Sequence, residues 1–528
     1  MAHGGAIRNG FLYDDHHLIA ENPGVITHAW AAIWTSTDAA SRDVQGRGFR
    51  PVTLSSYAVD HALGGGRPTV YHATQLALHW AVACAVFSVA SGLGLATRWA
   101  AAAALLMALH PVQTEAVHYL SARSSVLSTL ALLAGFWSHL QWRVQSANLP
   151  IWRWVSLGCL ALAVLSKESA VVGLVWFVAF ERLIAGAPWI DTAKRLSAHA
   201  AVAAVCVVPI VTVLHTGTGG ASVSTDTALA TGVLVMGRHL WSWVAPLTVS
   251  PVFPQPWVGW NHPEVWAAAA AVGLIVFLAY TLRQRLPLIS WAWLCGISSL
   301  LPVLSLPFIT DVALFQPHRG YSAAVGWAIA TAVLAQVGAA RVIAFARSDS
   351  GRRLVRAGGW SLAAFAVAVA IVTDRRAGRA WADEVGFWGL AAAEYPDEPA
   401  YRHSLGAARL RAGDASGAES ALLDAARLDP LLPRVDFNLG VVYTKLGRYR
   451  EAIAAYQRAI DRDPMDVKSV ANLGTLYERL GDPERAAQAY HRALTIDPTL
   501  APIQRRLSRL LMSRPNGPAG PEGRPAGR

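Results

Sequence analysis

Eleven apolar runs crowd the first 373 residues, near 69–91, 95–109, 124–142, 151–166, 169–185, 197–215, 228–247, 264–282, 288–307, 320–340 and 357–373. A bilayer crossing takes roughly 20 consecutive apolar residues in a helix. The runs are rich in Ala and Leu and lack the alternation of barrel strands, so they predict a polytopic helical membrane domain over 69–373. Composition agrees: of 528 residues, 54% are apolar and only 15% charged, against about 25% charged in a soluble domain. A disordered chain is excluded and a fully soluble enzyme disfavoured.

The net charge of +11 fits basic loops on the cytoplasmic side of a membrane better than a nucleic-acid surface, and no nucleic-acid partner is expected. With residues 110–123 placed outside, Arg98, Arg143, Arg153, Arg182, Lys194, Arg195, Arg283, Arg285 and the Arg341–Arg356 group fall on the opposite, cytoplasmic side. That holds if one of the runs 197–215 and 228–247 is re-entrant, which leaves ten crossings. Cys84, Cys159, Cys206 and Cys295 each lie in an apolar stretch and form no CxxC pair, so neither a disulfide framework nor a zinc site is expected.

Beyond residue 374 the pattern changes. Pro396, Pro430, Pro464 and Pro498 recur every 34 residues. Between them recur Leu439-Gly440, Tyr443, Ala452, Tyr456 and Ala459, then Leu473-Gly474, Tyr477, Ala486, Tyr490 and Ala493. The first unit has Leu405-Gly406, Ala418, Leu422 and Ala425, with Arg409 at the Tyr position. This period and pattern closely resemble the tetratricopeptide repeat, a pair of helices stacked into a solenoid. The expected layout is an extracytoplasmic N-terminal loop over 1–68, the membrane domain over 69–373 and a connector with a half-repeat helix over 374–396. Repeats then fill 397–514, before a disordered tail over 515–528.

Four polar clusters interrupt the apolar pattern. Asp14 and Asp15 lie in FLYDDHHLIAENPGVI, where a carboxylate can take a proton from a hydroxyl, hold a divalent cation, or merely form a solvated turn. HPVQTEAVHYLSARSS, residues 110–125, places Glu115, Tyr119 and Arg123 on one face if it is one continuous helix. A salt bridge within that stripe is the bland alternative. Lys167 and Glu168 stand in SKES, where the Lys can neutralise a phosphate or snorkel to the interface. Arg319 stands in QPHRGY, as a phosphate clamp or an interfacial anchor.

The order of these motifs, with FRPVTLSSYAVDHAL at 49–63 and YHATQLALH at 71–79, resembles the transmembrane and tetratricopeptide-repeat O-mannosyltransferases and their bacterial relatives, within the GT-C glycosyltransferases. The resemblance implies an all-α fold, a GT-C-type membrane bundle followed by a solenoid. It implies transfer of mannose from a polyprenyl-phosphate donor to Ser or Thr hydroxyls, by a single inverting displacement at the extracytoplasmic face of a bacterial inner membrane. Asp14 is then the expected base, with Asp15 assisting or binding the acceptor. Arg123, Lys167 and Arg319 are expected to stabilise the leaving phosphate, and Glu168 to bind substrate beside Lys167. His110 and Glu115 are expected to shape the sugar or acceptor site. No cofactor is required, although the acidic pair can hold a divalent cation. Protein acceptors are expected on the repeats. The family has a membrane helix before its acidic pair, where only thirteen residues precede Asp14 here, so either a first helix encoded upstream or a truncated, inactive protein is expected. Against ERYLY in the family, this chain has His318 and Gly320. The alternatives are a non-catalytic membrane-anchored scaffold, or a GT-C enzyme acting on a lipid or glycan.

Overall fold

The protein was analysed as a computed structural model, which describes residues 2–12, 14–35, 49–144, 150–217, 224–246, 257–308, 316–345 and 348–512. The expected disordered tail lies outside the described residues. The described chain is helical, with no strand, and divides into two compact units, Met1–Phe387 and Trp388–Arg528.

In the first unit, proline sets many helix starts. Pro51, Pro68, Pro111, Pro263, Pro287 and Pro317 each stand in the first turn of a helix. There the missing N–H has no intrahelical partner to lose, and the fixed φ is already helical. Among the described residues, five helices are long and apolar enough to cross a membrane: Pro68–Gly92, Leu120–Val144, Pro263–Leu282, Pro287–Leu304 and Pro317–Phe345. Thr97–Leu109 with Pro111–His118, bent by 47° between them, makes a sixth if the pair is one span. The run 169–185, expected as one span, stays helical without a gap but changes pitch along its length. A tight helix covers Glu168–Gly173, an α-helix Leu174–Ala179 and a widened turn Phe180–Ile184.

Aromatic rings fill the core of this unit. Phe136 stacks on Trp291 with centroids 5.1 Å apart and meets Phe177 edge-on at 5.4 Å. The buried Trp291 indole donates to the Trp176 carbonyl at 3.0 Å. Such pairs add specificity to the apolar burial that holds the bundle. Helices Pro287–Leu300 and Tyr321–Phe345 pack through glycine. A Cβ on Gly326 would lie 2.4 Å from the Ala292 carbonyl oxygen, and one on Gly296 2.7 Å from the Trp327 ring. Small residues at such crossings let backbones approach closely. This contact fixes the start of the Tyr321–Phe345 helix, just after His318 and Arg319.

The second unit stacks helix pairs. Pro399–Arg411 packs on Ala415–Leu428, Val435–Lys445 on Tyr449–Arg462, and Val467–Arg479 on Pro483–Ile496, before a last helix Ala501–Met512. The repeated Gly exists for contact: a Cβ at Gly406, Gly440 or Gly474 would fall 2.6, 2.6 and 2.7 Å from Leu422, Tyr456 and Tyr490. The turn between paired helices uses Gly413, Gly447 and Gly481, all at positive φ, a backbone state that costs Gly little. Each pair ends on Asp-Pro. The Asp429, Asp463 and Asp497 carboxylates accept from the amides two residues on, at 2.8, 3.0 and 2.9 Å. This side-chain turn redirects the chain where the following Pro forbids more helix.

Candidate functional site

Asp14 and Asp15 stand at the entrance to a single wide helical turn, His16–Ala20. Their environments differ. Asp15 is fully buried. Its Oδ1 accepts from the Ser121 amide and hydroxyl at 2.8 and 2.6 Å, and its Oδ2 from the Leu12 amide at 3.1 Å. Burial pushes its pKa up to about 7, against the pull of those donors and with the help of the Asp14 charge. Asp14 is half-buried and accepts one hydrogen bond, from the Tyr119 hydroxyl at 2.8 Å. Burial raises its pKa too, and the Tyr119 bond moderates the rise. Asp15 is therefore a clamp that pins the N-terminal segment to the HPVQTEAVHYLSAR stretch, and Asp14 is the carboxylate with room for another partner.

That stretch is not one helix. Pro111–Gln113 is a tight turn, Thr114–His118 a short helix, and Leu120–Ala122 a second tight turn leading into Arg123–Val144. Tyr119 is extended, with φ −100° and ψ 112°. The common face expected for Glu115, Tyr119 and Arg123 is consequently not formed. The reason is tertiary: Asp15 takes the Ser121 amide that a continuous helix would have used, and Tyr57 donates to the Leu120 carbonyl at 2.6 Å.

Glu115 turns instead to the QPHRGY turn. Its carboxylate accepts from the His318 amide at 2.8 Å and lies 3.0 Å from His318 Nδ1. The Tyr119 ring lies 6.3 Å from the His318 ring, and against Trp381 at 5.6 Å. Tyr119 thereby joins the two groups, its hydroxyl on Asp14 and its ring beside the His318–Glu115 pair. Next in the turn, Arg319 donates from Nε to Gln316 Oε1 at 2.9 Å. Its Nη1 is buried and makes no hydrogen bond among the described residues.

Lys167 and Glu168 follow the Ile151–Ser166 helix, with Lys167 extended at φ −157°. Lys167 Nζ donates to Ser125 Oγ at 2.7 Å. Burial, then the positive charges of Arg50 and Arg319, lower its pKa to about 7, while Glu168 and Glu115 oppose the fall. Glu168 is clamped by Arg50, whose Nε and Nη2 reach its two oxygens at 3.0 and 2.8 Å. Burial alone would raise the Glu168 pKa, but Arg50 overrides it and holds it down at about 2. Thr53, one turn from Arg50, donates to the Ser166 carbonyl at 3.0 Å and so ties the Pro51–Gly64 helix to this corner. Arg50 was missed as a site residue in the sequence reading. Its only signal there was its place in the FRP stretch.

Two expected residues are engaged elsewhere. The Arg123 side chain is fully buried, and it pairs with Asp60 at 2.5 Å, with Gln75 Oε1 at 3.2 Å and with the Tyr71 carbonyl at 2.7 Å. The Tyr57 ring covers its guanidinium at 4.6 Å. These partners use the donors that a substrate phosphate would need. His110 stacks on Trp243 with centroids 4.1 Å apart, and its ring nitrogens meet the Val112 amide and the Trp243 carbonyl at 3.3 and 3.0 Å. Arg123 and His110 hold the fold around the site, whereas Tyr119 contacts Asp14, His318 contacts Glu115, and Ser125 and Arg50 hold Lys167 and Glu168.

Fold and site together define a polytopic helical membrane protein that carries a tetratricopeptide solenoid and a cluster of carboxylates and cations at helix ends. Comparison with known proteins narrows the class. The tetratricopeptide repeat family matches residues 437–501. Protein O-mannosyl-transferase Tmtc2 of Drosophila melanogaster is 30% identical over 189 residues, covering 33% of this chain and 19% of that protein. Protein O-mannosyl-transferase TMTC3 of Homo sapiens is 28% identical over 168 residues, 31% of this chain and 18% of the relative. TMTC4 of Mus musculus is 27% identical over 215 residues, 36% and 29% of the two chains. The chain is thus related to the TMTC protein O-mannosyl-transferases, and the matched stretches span less than a third of each relative's length. Among solved structures, that of the MamA protein is 20% identical, covers 24% of this chain and 70% of its own, and superposes with a TM-score of 0.23.

Proposed function

We propose that the protein is a GT-C-type glycosyltransferase that moves a sugar, mannose by kinship with the TMTC enzymes, from a polyprenyl phosphate to Ser or Thr hydroxyls of proteins. The observation that carries this reading is the bridge at Tyr119, which links a half-buried carboxylate, Asp14, to a turn bearing Glu115, His318 and Arg319.

The reaction needs three things from the protein: a base, cations for the leaving group, and exclusion of water. Asp14 takes the proton as the acceptor oxygen attacks the anomeric carbon. The bond from that carbon to the phosphate oxygen breaks on the opposite face, so configuration inverts. The lipid phosphate departs with its negative charge, which Lys167 and Arg319 meet. Charges fixed in advance in a buried site stabilise such a group far more than water does. Arg50 is already paired bidentately with Glu168, so Lys167, when protonated, and Arg319 are the cations left to meet a phosphate anion. Arg123 has no part in this step, since its donors are already used.

The repeats serve as a protein-binding solenoid that gathers acceptors, whose local concentration at the site rises accordingly. The bundle sits in a bacterial inner membrane with Asp14 and the repeats on the periplasmic face. Mass spectrometry of envelope proteins with and without the gene tests the reading. Hexose on Ser and Thr of a defined set of proteins disappears with the gene; an unchanged hexose pattern contradicts the proposal.

A further inference from the structure

His118, one residue before Tyr119, belongs to a second buried cluster that the proposed transfer reaction does not use. His3, His118 and Asp374 come from the first turn of the chain, the HPVQTEAVHY stretch and the Asp349–Ala380 helix. Their relative exposures are 3%, 3% and 0%. One ring nitrogen of each His and one carboxylate oxygen lie within 4.8 Å of one another.

The hydrogen bonds around the cluster leave lone pairs facing inward. His3 Nε2 is 3.1 Å from the Ala108 carbonyl oxygen, so this nitrogen carries the proton and donates it. The other nitrogen, Nδ1, then presents a lone pair. It stands 2.9 Å from Asp374 Oδ1 without the alignment of a hydrogen bond. Asp374 Oδ1 also accepts from the Thr114 hydroxyl at 2.6 Å, while Oδ2 has no partner. His118 Nε2 has none either. Unpartnered buried polar atoms of this kind are costly, and the lone pairs of His3 and Asp374 held 2.9 Å apart repel unless a proton or a metal cation lies between them. Two ligands about 2.1 Å from one ion are about 3.4 Å apart in a tetrahedron, against 2.9 Å between His3 Nδ1 and Asp374 Oδ1, so a bound ion spreads this pair slightly and draws in His118, which lies within 4.8 Å. Gly378, one turn beyond Asp374, brings its helix close against this edge of the ring: a Cβ there would fall 2.7 Å from His118 Cε1 and 2.9 Å from Nε2.

We propose that His3 Nδ1, His118 Nε2 and the Asp374 carboxylate bind one divalent ion of the first transition series. Two imidazoles and one carboxylate suit zinc, cobalt, iron or manganese rather than calcium or magnesium, which prefer all-oxygen shells. The outer partners are those such a site needs. The Ala108 carbonyl orients His3, and Thr114 orients Asp374. The Asn9 amide, 3.0 Å from His118 Nδ1, accepts the Nδ1 proton once it is turned to present its oxygen. The ion joins the N-terminal turn and the Asp349–Ala380 helix to the segment that carries Tyr119. This site is separate from the Asp14–Asp15 pair, where the sequence pointed to a cation, and it does not depend on the glycosyltransferase reading.

The test uses the full-length protein, purified without a histidine tag, stripped with chelator, loaded with Co²⁺ and desalted. Expected are one retained cobalt per chain by elemental analysis and visible d–d absorption. The His118→Gln and Asp374→Asn variants each weaken cobalt binding at least about tenfold. His3→Gln gives the same loss, and an unchanged melting temperature of the metal-free variants shows that the loss is not one of folding. Failure of the native protein to retain cobalt overturns the proposal and assigns the cluster a proton instead. So does retention that all three variants share.

Discussion

At the scale of single residues, the two titrating groups assigned to the reaction, Asp14 and Lys167, have opposite effects on transfer. Asp14 works as a base only when ionised, and burial raises its pKa, so activity climbs as pH rises through that value. Lys167 stabilises the leaving phosphate only when protonated. Its pKa is lowered to about 7 by burial and by Arg50, so activity declines as pH rises beyond about 7. The expected profile of kcat/KM is a bell. Lys167→Arg, which stays charged, removes the alkaline limb while leaving the acid limb. A native profile flat from pH 7 to pH 9 excludes Lys167 from the reaction. Arg123 belongs to stability. Asp60→Asn leaves its guanidinium buried with no counter-charge, a loss of about 3–5 kcal/mol in comparable buried pairs. The check is a lowered thermal midpoint in detergent, with any remaining folded protein keeping its substrate affinity.

At the scale of elements, the repeats were legible because their signal is local and periodic. The spacing of Pro430, Pro464 and Pro498 and the Leu-Gly pairs gives the helix ends and the helix contact directly. The Gly440 contact makes a quantitative expectation possible. Gly440→Ala puts a methyl group 2.6 Å from the Tyr456 ring, and overpacking of this kind costs about 1–3 kcal/mol. Circular dichroism melting of the full chain reads the loss as earlier unfolding of the repeat transition. An unshifted transition means that the helices separate at no cost. The polar stretch at 110–125 was legible in composition but not in shape. Its residues have ordinary helical character, and what stops the helix is a carboxylate about a hundred residues away, Asp15, that captures the Ser121 amide. No local pattern announces such a contact. Arg123 misled for the same reason, because its partner Asp60 becomes a neighbour only when the Pro51–Gly64 and Pro68–Gly92 helices fold onto the bundle. Arg50 and Glu168 are likewise distant in sequence and bidentate in space.

At the scale of the whole molecule, the account requires one sidedness. From Ser350 to Asp374 the continuous Asp349–Ala380 helix rises about 36 Å, at 1.5 Å per residue. That exceeds the roughly 30 Å of hydrocarbon in a bilayer, and it puts Ser350 on the cytoplasmic side if Asp374 lies near the periplasmic face. In a background without the native cysteines, Ser350→Cys should react with a membrane-permeant thiol reagent only. His17→Cys and Met465→Cys, both exposed, should react with an impermeant one added outside. Labelling of Ser350→Cys from outside rejects this topology.

The most direct measurement is single-turnover transfer by Asp14→Asn, reconstituted in liposomes that contain polyprenyl-phosphate mannose and supplied with a Ser/Thr acceptor peptide. Asn keeps the size of the side chain and an acceptor for the Tyr119 hydroxyl, but it cannot take a proton. Transfer is expected to slow by about 100-fold or more, with donor binding and melting temperature unchanged. A rate equal to that of the native protein contradicts the assignment of Asp14 and with it the catalytic reading of the site.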